Sequence, residues 1–289
     1  MRQTPESLLP LLVHIQASLD TDLSLSNLSR HAGISSSHFH RIFRSEIGET
    51  PADYVARLRL ERAAFRLLIQ EASVLQIALD CGYQNHETFA RAFRRAFGTS
   101  PAAYRTRRRQ ELASRPPSRA HALCESPFAL SAMKVARLRQ MHLAFIRHVG
   151  PYENVSDALF DELEDWARRG VVPEPRVWLG IGHDAPGITP PDRLRFDAAL
   201  VSEGPFEPSG RVAHQVLESA DFVVTTHVGP FNSLPTAYAE IFRRAASLKD
   251  YVFVGLPAVE IYRSVRVSTS LRVNETEIWL PVRRAPGRR

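Results

Sequence analysis

Part of the first third of this chain is written twice, about fifty residues apart, and a duplication of that length limits the fold more than any other feature of the sequence. The stretch Gly33-Ile34-Ser35-Ser36-Ser37-His38-Phe39-His40-Arg41-Ile42-Phe43-Arg44 leads to Gly48 and then to Thr50-Pro51-Ala52-Asp53-Tyr54. It returns as Gly82-Tyr83-Gln84-Asn85-His86-Glu87-Thr88-Phe89-Ala90-Arg91-Ala92-Phe93-Arg94, leading to Gly98 and Ser100-Pro101-Ala102-Ala103-Tyr104. Each copy reads as a short helix, a glycine turn and a longer helix. Ser24 can cap a helix through His31, Gly33 turns the chain, and Ser35 caps a second helix to about Ile47. In the second copy Ser73 with Gln76 forms a capping box, Gly82 turns, and Asn85 caps a helix to about Phe97. The sequence therefore predicts two helix-turn-helix units.

Within the longer helices, Phe39, Ile42, Phe43 and Ile47, and likewise Phe89, Ala92, Phe93 and Phe97, recur at helical spacing and predict the buried stripe. The opposite face then carries Ser37, His40, Arg41 and Arg44 in one unit, and Glu87, Ala90, Arg91 and Arg94 in the other. An arginine fork matches O6 and N7 of guanine, so Arg41 and Arg91 are candidates for base contacts in double-stranded DNA; a phosphate contact or a solvated face is the alternative. Arg44, Arg94 and Arg95 lie nearer the helix ends and suit phosphates, which position a protein without specifying a sequence.

Between the units, Thr50 as cap, Pro51 at the first helical position and Asp53 start a helix to about Ile69. At 1.5 Å per residue it would span about 28 Å, near the roughly 34 Å between successive major-groove faces of B-DNA. After Tyr104, the arginine run over 105–109 and then Ser114-Arg115-Pro116-Pro117-Ser118-Arg119 read as a solvated linker.

Charge supports the same division. Residues 1–120 hold 17 basic against 11 acidic side chains, whereas residues 121–289 hold 20 of each, so the whole net charge of +6 lies in the first part. A basic module joined to a neutral one places a polyanion against the former only. The chain has 289 residues, 44% of them hydrophobic, enough for two cores. It contains no apolar run long enough to span a membrane, and its N-terminus lacks the basic region and apolar core of a signal peptide, so the cytoplasm is expected. Cys81 and Cys124 form no CxxC pair, which predicts neither disulfide nor metal site.

From about Met133 the pattern changes to strands mixed with helices, and a second duplication appears. His148-Val149-Gly150-Pro151-Tyr152 matches His227-Val228-Gly229-Pro230-Phe231, each ending a strand in a Gly-Pro turn before an amphipathic helix, over 155–168 and 234–246. His148 and His227 are expected to serve that turn. Further strands are predicted over 177–182, 196–201, 222–227, 258–262 and 277–282. The expected fold is thus an all-α tandem helix-turn-helix domain over 5–110, a linker over 111–132, and an α+β domain over 133–285 in which two similar halves each lay a helix on an antiparallel sheet.

Strand alternation puts Val259 and Ile261 on one face and Glu260 with Tyr262 on the other. If the apolar pair faces the helices, the carboxylate and its aromatic neighbour line the opposite groove, a setting that favours an organic cation. An exposed strand glutamate is the ordinary alternative. Tyr152, Trp178, Phe231, Tyr238 and Trp279 are candidates for further walls, although most aromatics on such elements are core.

The first domain, over about 5–107, resembles the DNA-binding domain of the AraC/XylS family of transcription regulators, through Gly82-Tyr83-Gln84-Asn85-His86-Glu87-Thr88-Phe89-Ala90-Arg91-Ala92-Phe93 and Gly98-Thr99-Ser100-Pro101-Ala102-Ala103-Tyr104-Arg105. The remainder resembles a GyrI-like effector-binding domain, through the two His-Val-Gly-Pro turns, Arg195-Phe196-Asp197-Ala198, Glu260-Ile261-Tyr262 and Thr276-Glu277-Ile278-Trp279-Leu280-Pro281-Val282. The resemblance implies a regulator with its DNA-binding domain first and its effector domain second, with RNA polymerase as a further partner, and in some members a response to multidrug or toxic compounds. Positions matching the family's base-reading residues are Ser37, His40 and Arg41, then His86, Glu87, Thr88 and Arg91. Ser37 departs from the large aromatic of some members, so their target sequences do not transfer. In related effector domains the glutamate matching Glu260 sits in an aromatic pocket and receives cationic drugs.

No dinucleotide fingerprint, Walker loop, HExxH or nucleophile elbow is present, and neither a catalytic residue nor a cofactor is expected. Two alternatives remain, since some stand-alone GyrI-like proteins resemble hydrolases of reactive small molecules and others inhibit a partner. Neither gives the paired helix-turn-helix units a use.

Overall fold

A computed structural model describes residues 8–114, 128–169, 172, 174–245, 248, 250–255, 257–263 and 274–285. The chain divides into two compact units, residues 2–111 and 112–289.

In the first unit α1 (Leu9–Ala17) precedes the duplicated elements α2 (Leu25–His31), α3 (Ser36–Ile47), α4 (Pro51–Ile69), α5 (Val74–Asp80), α6 (His86–Phe97) and α7 (Pro101–Ser114). Every helix start named from the sequence has its cap: Ser24, Ser35, Thr50, Ser73 and Asn85 each accept a hydrogen bond from the backbone N–H three residues on. The capping box at Ser73 is only half made, because the Gln76 side chain donates forward to Asp80 at 2.7 Å. Both longer helices end on a left-handed glycine, Gly48 at φ 84° and Gly98 at φ 70°, where a Cβ would be strained.

The repeat holds in packing as well. Phe39 meets Phe43 at 5.5 Å and Phe43 meets Tyr54 edge-on at 5.4 Å; Phe89 meets Phe93 at 5.4 Å and Phe93 meets Tyr104 edge-on at 5.3 Å. All four phenylalanines are fully buried. Replacing either second phenylalanine, Phe43→Ala or Phe93→Ala, is expected to cost about 3–5 kcal/mol, read as an equal loss of thermal stability in the two halves of the repeat.

The arginine run after Tyr104 corrects the sequence reading. It is helical, and Arg109 donates to the carbonyls of Leu67 and Gln70 while pairing with Glu71 at 2.6 Å. Arg105 donates to the Ala72 carbonyl at 2.6 Å. These guanidiniums close the C-terminal end of α4, where backbone carbonyls lack helical partners. Of the expected linker over 111–132, residues 115–127, with Cys124, lie outside the described residues, whereas Ala129–Leu130 already forms a strand that pairs with Val228 and His227.

The second unit carries β1 (Ala129–Leu130), β2 (Lys134–Leu138), β3 (Met141–Val149), α8 (Asp157–Ala167), β4 (Trp178–Gly182), β5 (Arg195–Ser202), β6 (Ala213–Leu217), β7 (Ala220–Gly229), α9 (Leu234–Ala245), β8 (Tyr251–Phe253), β9 (Ala258–Tyr262) and β10 (Asn274–Arg284). The strand order is β1-β7-β10-β9-β4-β5-β3-β6, every pairing antiparallel. Its centre is a mirror of itself in order: β3-β5-β4 on one side and β9-β10-β7 on the other. The two halves therefore join where β4 pairs β9.

At the strand ends the two histidines do the same work by different means. His148 donates from Nε2 to the Pro151 carbonyl at 3.2 Å. His227 reaches Ser233 Oγ at 2.8 Å, and that hydroxyl donates to the Pro230 carbonyl at 2.7 Å. Ile146, Phe196 and Leu200 pack against Leu159, Phe160 and Leu163 of α8, and Ile278 and Leu280 against Leu234 and Ile241 of α9. These contacts define the helix side of the sheet.

Candidate effector site and nucleic-acid interface

On α3, Phe39 and Phe43 are buried while Ser37, Arg41 and Arg44 are exposed and His40 is half-buried. On α6, Phe89 and Phe93 are buried, and His86, Glu87, Thr88, Arg91, Arg94 and Arg95 are exposed. Burial matches position for position from 39 to 50 and from 89 to 100, so both helices offer the same outer face. Arg41 leans on its own helix, Nη2 standing 3.0 Å from His38 Nδ1, which pre-orders the guanidinium in the first unit. The sequence reading did not single out His38.

In the second unit the register places Gly180 of β4 directly opposite Glu260 of β9. These residues hold the same position in the two halves and sit at the junction between them. Glu260 is buried, and its carboxylate accepts from Tyr238 Oη at 2.9 Å and from Tyr262 Oη at 2.8 Å. Phe231 and Phe160 both stand edge-on to the Tyr262 ring, at 5.5 and 5.8 Å, and Phe160 also meets Trp178 at 5.9 Å. Among the described residues no cationic side chain pairs with Glu260. Burial raises the Glu260 carboxyl above its ordinary range, against the two hydroxyl bonds, which favour the anion. Burial and the neighbouring carboxylate push both tyrosine hydroxyls well above their usual range, so they remain donors.

Gly180 makes this arrangement possible. A Cβ there would stand 2.2 Å from Tyr262 Oη and 2.6 Å from Phe196 Cζ. Gly180→Ala is expected to cost about 1–3 kcal/mol through overpacking and to displace Tyr262 from Glu260, read as a lower melting temperature and loss of whatever the carboxylate binds.

A family model of a helix-turn-helix domain matches residues 28–107, and one of a GyrI-like small molecule binding domain matches residues 132–283, more than half of the chain. The Regulatory protein SoxS of Escherichia coli K12 is 35% identical over 97 residues, 34% of this chain and 91% of SoxS. This chain belongs to the AraC/XylS family of regulators and carries a GyrI-like domain. The Right origin-binding protein of the same strain is 36% identical over 95 residues, so the match spans a third of that relative's length and a third of this chain. Among solved structures, an EcmrR–DNA complex is similar over 90% of this chain and 99% of its own, at 12% identity and a TM-score of 0.46.

Within the GyrI-like domain the structure separates the aromatic candidates. Trp178 shares a register position with Tyr262, and Phe231 touches the Tyr262 ring. Tyr152 packs against the same core cluster as Tyr262, its hydroxyl donating to the Asp184 carbonyl at 2.9 Å and its ring 6.1 Å from Phe196. Trp279 does not join them. Ile278 is the residue opposite Glu260, so Trp279 points to the other side, against Phe222 at 5.8 Å. The expected orientation of β9 is also corrected: Glu260 and Tyr262 face the helices, and Val259 and Ile261 face away, buried there as well. Tyr238, Phe196 and Gly180 complete the site.

Proposed function

We propose that this AraC/XylS-family chain is a sequence-specific transcription regulator that contacts double-stranded DNA through α3 and α6 and receives a small cationic, aromatic effector at Glu260. RNA polymerase is the partner such a regulator addresses at a promoter. The observation that carries the effector reading is the buried Glu260 carboxylate, held by two tyrosine hydroxyls and, among the described residues, paired with no cation. An ionised carboxylate out of water is costly unless a cation joins it, and aromatic faces around it favour an organic cation over a hydrated one. The outer faces of α3 and α6 supply paired arginines at equal positions, with the basic excess of the chain in the same domain.

A thermal-shift screen of the full chain tests the effector reading. Aromatic amines that are cationic at neutral pH are expected to raise the melting temperature, and neutral isosteres of the same shape are expected to leave it unchanged. Equal shifts from both classes would remove the role of the Glu260 charge. Protons compete with the cation for a carboxylate whose affinity for them is raised, so cation affinity is expected to climb with pH until Glu260 is fully ionised, and a flat profile from pH 4 to pH 8 would contradict this.

A further inference from the structure

Among the described residues, Nδ1 of His227 and Oγ1 of Thr276 are buried on the helix side of the sheet without a hydrogen-bond partner. Both residues are fully buried and directly opposed across β7 and β10. Thr276 is also directly opposed to Tyr262 across β10 and β9. A single row of the sheet therefore runs Tyr262, Thr276, His227, beginning at the tyrosine that holds Glu260.

The tautomer of His227 follows from its neighbours. Ser233 spends its proton on the Pro230 carbonyl, so it accepts from His227 Nε2–H, and Nδ1 is left as a bare acceptor. Burial drives the His227 pKa down to about 4, which keeps the ring neutral at physiological pH. Thr276 Oγ1 brings a proton to donate. One acceptor beside one donor is the complement of a hydroxyl, which donates to the first and accepts from the second.

We propose that His227 and Thr276 form a second subsite of the effector pocket that takes a ligand hydroxyl. Strand spacing and rise put Thr276 about 8 Å from Glu260 along the sheet, so the ligand class is an aryl-alkylamine with a hydroxyl at the far end from its ammonium. The turn Phe231–Ser233 touches both ends of the row, through Phe231 on Tyr262 and Ser233 on His227, and the Ser233 contact holds His227 in the tautomer the subsite needs. This inference rests on the reading of Glu260 as the cation site.

Calorimetric titration of the full chain with tyramine and with phenethylamine, which differ only in the distal hydroxyl, tests it. Wild-type protein is expected to prefer tyramine by about tenfold, the worth of one well-made buried hydrogen-bond pair. Thr276→Val keeps the shape and is expected to abolish that preference while binding phenethylamine as before. His227→Gln retains a donor for Ser233 and shifts the acceptor away from the Nδ1 position, and is expected to do the same if Thr276→Val fails to fold. Glu260→Gln should weaken both amines together. Equal wild-type affinities, or a preference that survives Thr276→Val and His227→Gln, with Glu260→Gln still weakening both, would overturn the subsite and leave the cation site standing. Failure of either amine to bind, or binding indifferent to Glu260→Gln, would overturn the cation site and the subsite with it.

Discussion

Glu260→Gln is expected to weaken a cationic aromatic ligand by about 2–5 kcal/mol, the usual consequence of breaking a buried charge pair, and to leave a neutral isostere almost unaffected. Calorimetry on the full chain reads the difference directly as a fall in affinity of about thirtyfold or more. The same substitution carries a second signature of opposite sign. The folded carboxyl has a pKa raised by burial, so its contribution to stability is present in full below the unfolded value and is lost as pH rises through the folded one. Ligand-free Glu260→Gln protein is therefore expected to melt higher than wild type at neutral pH, with the gap closing toward pH 4. A variant that binds less and melts lower at pH 7 would point to a damaged fold.

Asp197→Asn is the other large effect, and its pH dependence runs the opposite way. Asp197 is fully buried on the far side of the sheet, where it accepts from Arg147 at 2.6 and 2.7 Å, from Gln215 at 3.0 Å, and lies 2.7 Å from His183 Nε2. Burial alone would raise its carboxyl, but Arg147 and His183 hold it well below the ordinary range. Removing the negative charge leaves the Arg147 guanidinium buried and uncompensated, expected to cost about 3–5 kcal/mol and to lower the melting temperature of this domain by roughly 10 °C. Because the folded pKa is depressed, the contribution is present above the unfolded value near pH 4 and is lost as pH falls toward the folded one. Urea midpoints of wild type and Asp197→Asn should thus converge as pH drops from 6 toward 3. A constant gap would deny the carboxylate its role.

The first domain was legible in the sequence because its information is local. Caps, glycine turns and the phenylalanine stripe lie within a few residues of the structure they specify, and the duplication checks each against its copy. What escaped there was long-range: Arg105 and Arg109 look like solvent charges until α7 is laid beside the end of α4. In the GyrI-like domain, alternation put Glu260 with Tyr262 correctly but could not say which face meets the helices, since Val259 and Ile261 are as apolar and as buried as a helix-facing pair. The same period of two excludes Trp279 only once Ile278 is known to stand opposite Glu260. Gly180 carried no signal, because the room it leaves is used by side chains from β9 and β5.

If the paired outer faces of α3 and α6 read DNA as proposed, affinity and selectivity both depend on the arginines they carry. A mobility-shift titration of the full chain on duplexes it selects from genomic fragments, at two salt concentrations and beside Arg41→Ala and Arg91→Ala proteins, reads both quantities. Binding is expected to fall steeply with salt, as counterion release requires, with a loss of about 1–3 kcal/mol for each arginine and relaxed preference at one base pair. A loss equal on all sequences would make those arginines phosphate contacts. Binding that ignores salt, or no selected duplex at all, would contradict the claim.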